Sequence, residues 1–179
     1  MLKNSLFATT LLACGIAGVT AAVAVAQGSV GATSNGSAQL SLVINNKLKV
    51  SNLADTALGT YSGADMTGSD DICVFYNQTA AYKITFDGTN TPGTFELDDG
   101  SSNTIPYTIS YDDGSGASAI TAATALTGQS TGANTTDDDC VTATADNGTV
   151  AYSVLATDIT GNPNGTYTDT VQITVAPDI

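Results

Sequence analysis

Histidine is absent from this sequence, and only four of its 179 residues are lysine or arginine. Without an imidazole, neither a Ser-His-Asp nor a Cys-His relay can be assembled. The same absence, with three cysteines in all, argues against a closed zinc site, which draws on several thiolates and imidazoles. Charged residues make up 12% of the chain, about half the usual share. Acidic residues outnumber basic ones by 17 to 4, which argues against binding nucleic acid or an anionic membrane surface by electrostatics. No cofactor is expected.

Carboxylates remain as possible chemistry. A glycosidase-like dyad needs two acids facing each other across a bond. Asp98-Asp99, Asp112-Asp113 and Asp137-Asp138-Asp139 provide pairs, but each run adjoins Gly, Ser or Thr, where Asp ordinarily serves a turn. The chain therefore reads as a protein that is not an enzyme. Calcium is the more serious use for these acids, since hard oxygen ligands suit it. No stretch matches an Asp-x-Asp-x-Asp-Gly loop with its terminal Glu, so solvated loops are the favoured reading. Asn-x-Ser/Thr triplets begin at Asn35, Asn77, Asn134, Asn147 and Asn164. They are glycan acceptors in a eukaryotic secreted protein, but chance occurrence is expected in a composition this rich in Asn, Gly and Thr.

Thr, Ser, Gly, Asn and Asp fill the space left by charge, and they favour strands and turns over helix interiors. The length suits one domain with a real core. Before that domain comes a leader. Lys3 gives a positive start, Leu6 to Ala26 is apolar apart from Thr9, Thr10 and Thr20, and Ala24-Val25-Ala26 forms a small-x-small site. This predicts a signal peptide over residues 1–26, cut before Gln27, and no membrane insertion afterwards. A membrane anchor is the alternative, and Leu11-Leu12-Ala13-Cys14-Gly15 resembles a lipoprotein box, although the apolar run continues beyond Cys14.

Cleavage leaves Cys73 and Cys140, and an exported domain with two thiols is expected to pair them. In the chain-entropy model, closing a loop of nearly seventy residues stabilises by roughly 4 kcal/mol. It also leaves Lys47, Lys49 and Lys83 against 17 acids, a formal charge of −14.

Gln27 to Ser37 reads as a flexible arm. Ala38, Leu40, Leu42 and Ile44 then alternate with other residues, the period of a strand, before Asn45-Asn46 and the apolar positions Leu48, Val50 and Leu53. Residues 57–61 read as extended, and 63–71 as a polar turn leading into a central strand over 72–76. Tyr82, Ile84 and Phe86 predict a strand antiparallel to it, with further strands at 94–97, 104–111 and around 120–126. Asn147-Gly148 between strand-like runs at 140–145 and 149–155 is a hairpin cue. The turn Asn162-Pro163-Asn164-Gly165 introduces a last strand over 166–175, with Tyr167, Val171, Ile173 and Val175 on one face and Asp169 interrupting it. Seven to nine short strands and no helix beyond the leader suggest a β-sandwich. That sandwich is either self-contained or one strand short and completed by a neighbour's arm through β-strand addition, which would also occupy an exposed edge.

Residues 104–112, TIPYTISYD, and 165–175, GTYTDTVQITV, resemble the spore coat protein U family, which includes pilins of archaic chaperone–usher pathways. Leu40-Ser41-Leu42-Val43-Ile44, with Leu58-Gly59-Thr60-Tyr61 downstream, is similar to that family's opening region. The resemblance implies an all-β, incomplete immunoglobulin-like sandwich over 47–179, preceded by an arm and donor strand over 27–46. It implies a structural pilin subunit, held by a periplasmic chaperone and polymerised with copies of itself through an outer-membrane usher into a surface pilus. By position, Ala38, Leu40, Leu42 and Ile44 would be the donor side chains. Many members pair a first-strand Cys with one in the strand corresponding to 72–76. Here the first strand region has none, and Cys73 is left to pair with Cys140. The alternative function is a monomeric secreted adhesive or glycan-binding module.

Overall fold

The computed structural model describes residues 28–129, 132–141 and 146–179. The expected leader, its cleavage site and Cys14 lie outside the described residues. The chain divides into two units, Met1–Ile44 and Asn45–Ile179. In the first, residues 38–44 belong to no strand, although their alternation predicts one. A strand exists through hydrogen bonds to a neighbouring strand, and alternation alone does not supply them.

The second unit is a sandwich of short strands. Its larger sheet joins β1 (Leu48–Ser51), β2 (Met66–Tyr76), β9 (Gly148–Val154), β6 (Thr108–Asp112) and β7 (Ser118–Ala119) in the order β1-β2-β9-β6-β7. The smaller runs β10-β3-β8, from β10 (Val171–Pro177), β3 (Tyr82–Gly88) and β8 (Leu126–Gln129). β4 (Glu96–Asp98) and β5 (Thr104–Pro106) form a separate antiparallel pair. A single helical turn, α1 (Ala156–Ile159), follows β9.

Period-two patterning sets the core. Along β3 the burial alternates without a break from Tyr82 to Gly88. Tyr82, Ile84 and Phe86 point inward to meet Ile72 and Val74 of β2, Ile109 and Tyr111 of β6, and Val150 and Val154 of β9. The Phe86 and Tyr111 rings meet at 5.8 Å between centroids. Tyr82 and Tyr111, both buried, solve the problem of two phenols in a core by bonding their hydroxyls to each other at 2.8 Å.

Several local expectations give way to tertiary pairing. β2 starts at Met66, inside the stretch read as a polar turn, because Met66–Ile72 is paired in register with Val154–Gly148; a partner strand overrides the turn preference of Gly68, Asp70 and Asp71. β3 does not pair with β2 but lies in the other sheet between β10 and β8. The 104–111 strand is split at Tyr107, whose N–H turns to Phe95 O at 3.0 Å. The strand expected around 120–126 is displaced: β7 ends at Ala119 and β8 begins at Leu126, and the residues between them form a crossing, with Ala123 at φ 56°.

The expected hairpin at Asn147-Gly148 is also replaced. β9 pairs with β2 on one edge and β6 on the other, so both its edges are taken; of the other run of that hairpin, 140–145, residues 142–145 lie outside the described residues. Asn147 instead uses its side chain as an extra ladder rung. It accepts from Val74 N at 2.7 Å and donates to Val74 O at 2.9 Å. Finally, the last strand begins at Val171 rather than Thr166; upstream, Thr168 makes an isolated bridge with Asp98.

Candidate assembly groove

The two long sides of the sandwich differ. On one, residues 118–129 pass from the β6 edge to the β3 edge and close it. Ile120 N donates to Ile109 O at 2.9 Å, and Ala123 N donates to Phe86 O at 2.8 Å. On the other side β1 ends the larger sheet and β10 ends the smaller one. These strands lie beside each other, yet no ladder joins them.

Burial is complete only in the middle of the sandwich. Ile72, Val74, Ile84, Phe86 and Val150 expose no surface. Leu48 and Val50 of β1, and Val171, Ile173 and Val175 of β10, pack on that core but are only partly buried. Apolar side chains at a strand edge gain their remaining burial, worth about 25 cal/mol per Å², from whatever covers them.

The groove has two distinct ends. At one, Leu48 pairs with Tyr76 and Pro177 pairs with Tyr82, next to the connection between β2 and β3. At the other, a cavity of about 230 Å³ opens between Leu53, Leu58, Leu97, Tyr107, Val171 and Ile173. Asp55, Asp70 and Asp169 are also at its wall.

Asp169 is the structural hub of this end. It accepts from Tyr107 Oη at 2.8 Å, Thr170 N at 2.7 Å, Asn90 N at 3.1 Å and Thr89 N at 3.2 Å. Burial, then this bond to a carboxylate, pushes the Tyr107 hydroxyl far above the ordinary phenol value. Tyr152, also on the cavity wall, is raised by burial and by the Asp70 charge. Asp70 in turn accepts from Ala54 N at 2.9 Å. In the sequence Asp169 stands as an interruption of an apolar face; apart from its neighbour Thr170, its partners are 62 to 80 residues away.

Cys73 and Cys140 are joined, with their Cα atoms 5.9 Å apart. The bond anchors the acidic loop to β2 where β9 has ended. There Tyr76 N donates to Asn134 O and Asn134 N to Val74 O, each at 2.9 Å. The loop then braces β1. Lys49 pairs with Asp138 at 3.6 Å, and Asn52 Nδ2 donates to Asp139 O at 3.1 Å.

The acidic runs serve turns. Asp99 accepts from Ser101 N and Asn103 Nδ2, both at 2.7 Å, and these bonds, that from Asn103 first, hold its carboxyl below the usual range. Asp112 accepts from Gly114 N at 2.7 Å and Gly116 N at 2.9 Å. Of the candidate donor residues, Leu40, Leu42 and Ile44 are 98%, 84% and 70% exposed, and Ala38 is exposed too.

No family model matches the chain, and no curated protein matches it. Among solved structures it is similar to a chain of the chaperone–tip adhesin complex of CFA/I fimbriae. The TM-score is 0.52 at 20% identity, over 74% of this chain and 41% of that one. A mutant of CfaE, the CFA/I adhesin of enterotoxigenic E. coli, gives a TM-score of 0.49 at 17% identity, over 74% of this chain and 43% of that one. The chain thus spans about two fifths of the length of the structures it matches. In fold, the second unit is an all-β, immunoglobulin-like sandwich like those of fimbrial subunits.

Proposed function

We propose that this chain is a structural subunit of a chaperone–usher surface fibre of the spore coat protein U type, joined to its neighbours by donor-strand exchange. The observation that carries the reading is the unladdered side between β1 and β10, where both rows of inward side chains remain partly exposed. A strand entering there would find two free edges for backbone hydrogen bonds and an apolar floor for every second side chain. Ala38, Leu40, Leu42 and Ile44 have that spacing and are exposed. The fibre's partners in this reading are a periplasmic chaperone that covers the groove before assembly, an outer-membrane usher and further copies of the chain. The domain division follows: a leader over 1–26, an arm and donor strand over 27–46, and the sandwich over 47–179.

The test is to append residues 33–46 after Ile179 through a flexible linker and measure thermal unfolding and size. A large rise in Tm with conversion to a monomer is expected. An unchanged Tm, with the unmodified chain already monomeric, would overturn the reading in favour of a self-contained adhesive module.

A further inference from the structure

Assembly through an arm carries a hazard that is visible in this chain. The arm is covalently tied to the groove it must not fill. Only residues 45–47 separate Ile44 from Leu48, the start of β1, and three residues suffice for a hairpin loop. The free edge of β1 is one wall of its own groove. A hairpin of residues 38–44 back onto β1 would therefore complete the fold within one molecule. Short tethers give effective concentrations of roughly millimolar, so at micromolar chain an arm that could turn back would outcompete a neighbour's by about a hundredfold or more.

We infer that Asn77 is the residue that blocks this self-capture, an inference that rests on the donor-strand reading. Asn77 lies just past β2, in the connection to β3, and binds the backbone of the tether three times. Its Oδ1 accepts from Lys47 N at 2.7 Å. Its Nδ2 donates to Asn45 O at 3.0 Å. Its own N–H donates to Lys47 O at 3.1 Å. A tight turn between Ile44 and Lys47 closes by donating Lys47 N–H to the carbonyl three residues earlier. Asn77 holds that N–H, together with the Asn45 carbonyl inside the turn. The asparagine amide suits this, since one side chain supplies both an acceptor and a donor.

The experiment is a cycle of four full-length proteins recovered after export: wild type, Asn77→Ala, Leu40→Asp/Leu42→Asp, and all three changes together. Each is titrated at high dilution with a fluorescent peptide of residues 37–46, and uptake is read by anisotropy. Wild type and the arm double variant should both take up the peptide. Asn77→Ala should bind it about tenfold or more weakly, because its own arm competes from a short tether. Adding the arm changes to Asn77→Ala should restore binding. Equal uptake by wild type and Asn77→Ala would overturn the role of Asn77 alone. So would a loss that the arm changes do not rescue, since Asn77 would then merely hold the groove in shape. Failure of the arm double variant to bind peptide would bring down the donor-strand reading itself, and this inference with it.

Discussion

Tyr107 Oη donates to Asp169 Oδ2 at 2.8 Å, fastening the β5–β6 junction to the turn that precedes β10. Because Val171 and Ile173 follow within four residues of Asp169, this one bond helps place the β10 wall of the groove. A hydrogen bond to a charged acceptor contributes about 1.5–3 kcal/mol, and stranding a partner costs more. Tyr107→Phe is expected to lose about 2 kcal/mol of unfolding free energy, and Asp169→Ala about 3 kcal/mol, because it also frees three backbone N–H groups. Urea titrations should show the double variant to be no less stable than Asp169→Ala.

Alkaline pH should reveal the buried phenols. Burial raises Tyr82 to about 12, the hydrogen bond with Tyr111 partly opposing it, and Tyr111 and Tyr107 are also raised. In the unfolded chain each titrates near its ordinary value of about 10. Below that value both states are protonated and the phenols add no pH dependence. Above it the unfolded chain loses protons first, so stability falls as pH rises from about 10 towards 12. Denaturant midpoints measured at successive pH values check this; a flat profile across that window would contradict it.

The Tyr82–Tyr111 pair gives a separate test at neutral pH. Either single change to Phe strands one buried hydroxyl and should cost about 1–2 kcal/mol. The double change removes both and should be nearly neutral, so the two effects should fail to add. Thermal melts of the four proteins decide it.

Gly148 faces the same tyrosine. A Cβ at this position would meet Tyr111 Oη at 2.6 Å and Cε2 at 2.8 Å. Both β9 and the tyrosine are held in the core, so neither can yield cheaply. Gly148→Ala is expected to destabilise by about 1–3 kcal/mol, whereas the same change at Gly63, which has nothing within 4 Å of the added carbon, should show only its backbone cost.

Arm and groove should fail independently. Ile173→Asp puts a charge on the groove floor and should stop a chain from accepting an arm while leaving it able to donate one. Leu40→Asp with Leu42→Asp should do the reverse. Mixed, the two variants should form dimers, with the Ile173→Asp chain always the donor, as read by mass after crosslinking. Long fibres from either variant alone would sink the donor-strand reading.

Reduction should act on β1 through the disulfide. The 67-residue separation of Cys73 and Cys140 predicts a loss of roughly 4 kcal/mol on opening the bond. Hydrogen exchange should then accelerate at Lys49 and Val50, because the loop that carries Asp138 and Asp139 loses its covalent anchor and keeps only hydrogen bonds to β2, such as those of Asn134.

The sequence alone determined the class of fold and the absence of His-based catalysis. Alternation at Tyr82, Ile84 and Phe86 has a period of two, which makes a strand of that segment wherever it pairs, and a missing residue type cannot be supplied by folding. The same reading noted the Cys73 and Cys140 thiols and the period of Ala38 to Ile44. Tertiary structure decided which edges meet. Gly68 and Asp70 look like a turn until β9 lies alongside, and Asn147-Gly148 looks like a hairpin until β2 and β6 have taken both edges of β9. The roles of Asn77 and Asp169 were not legible locally, since the Asn77 partners Asn45 and Lys47 and the Asp169 partners Thr89, Asn90 and Tyr107 lie 30 or more residues away. Local sequence encodes what a segment prefers; an open groove is a property of two edges brought together from opposite ends of the domain, and only the folded chain has it.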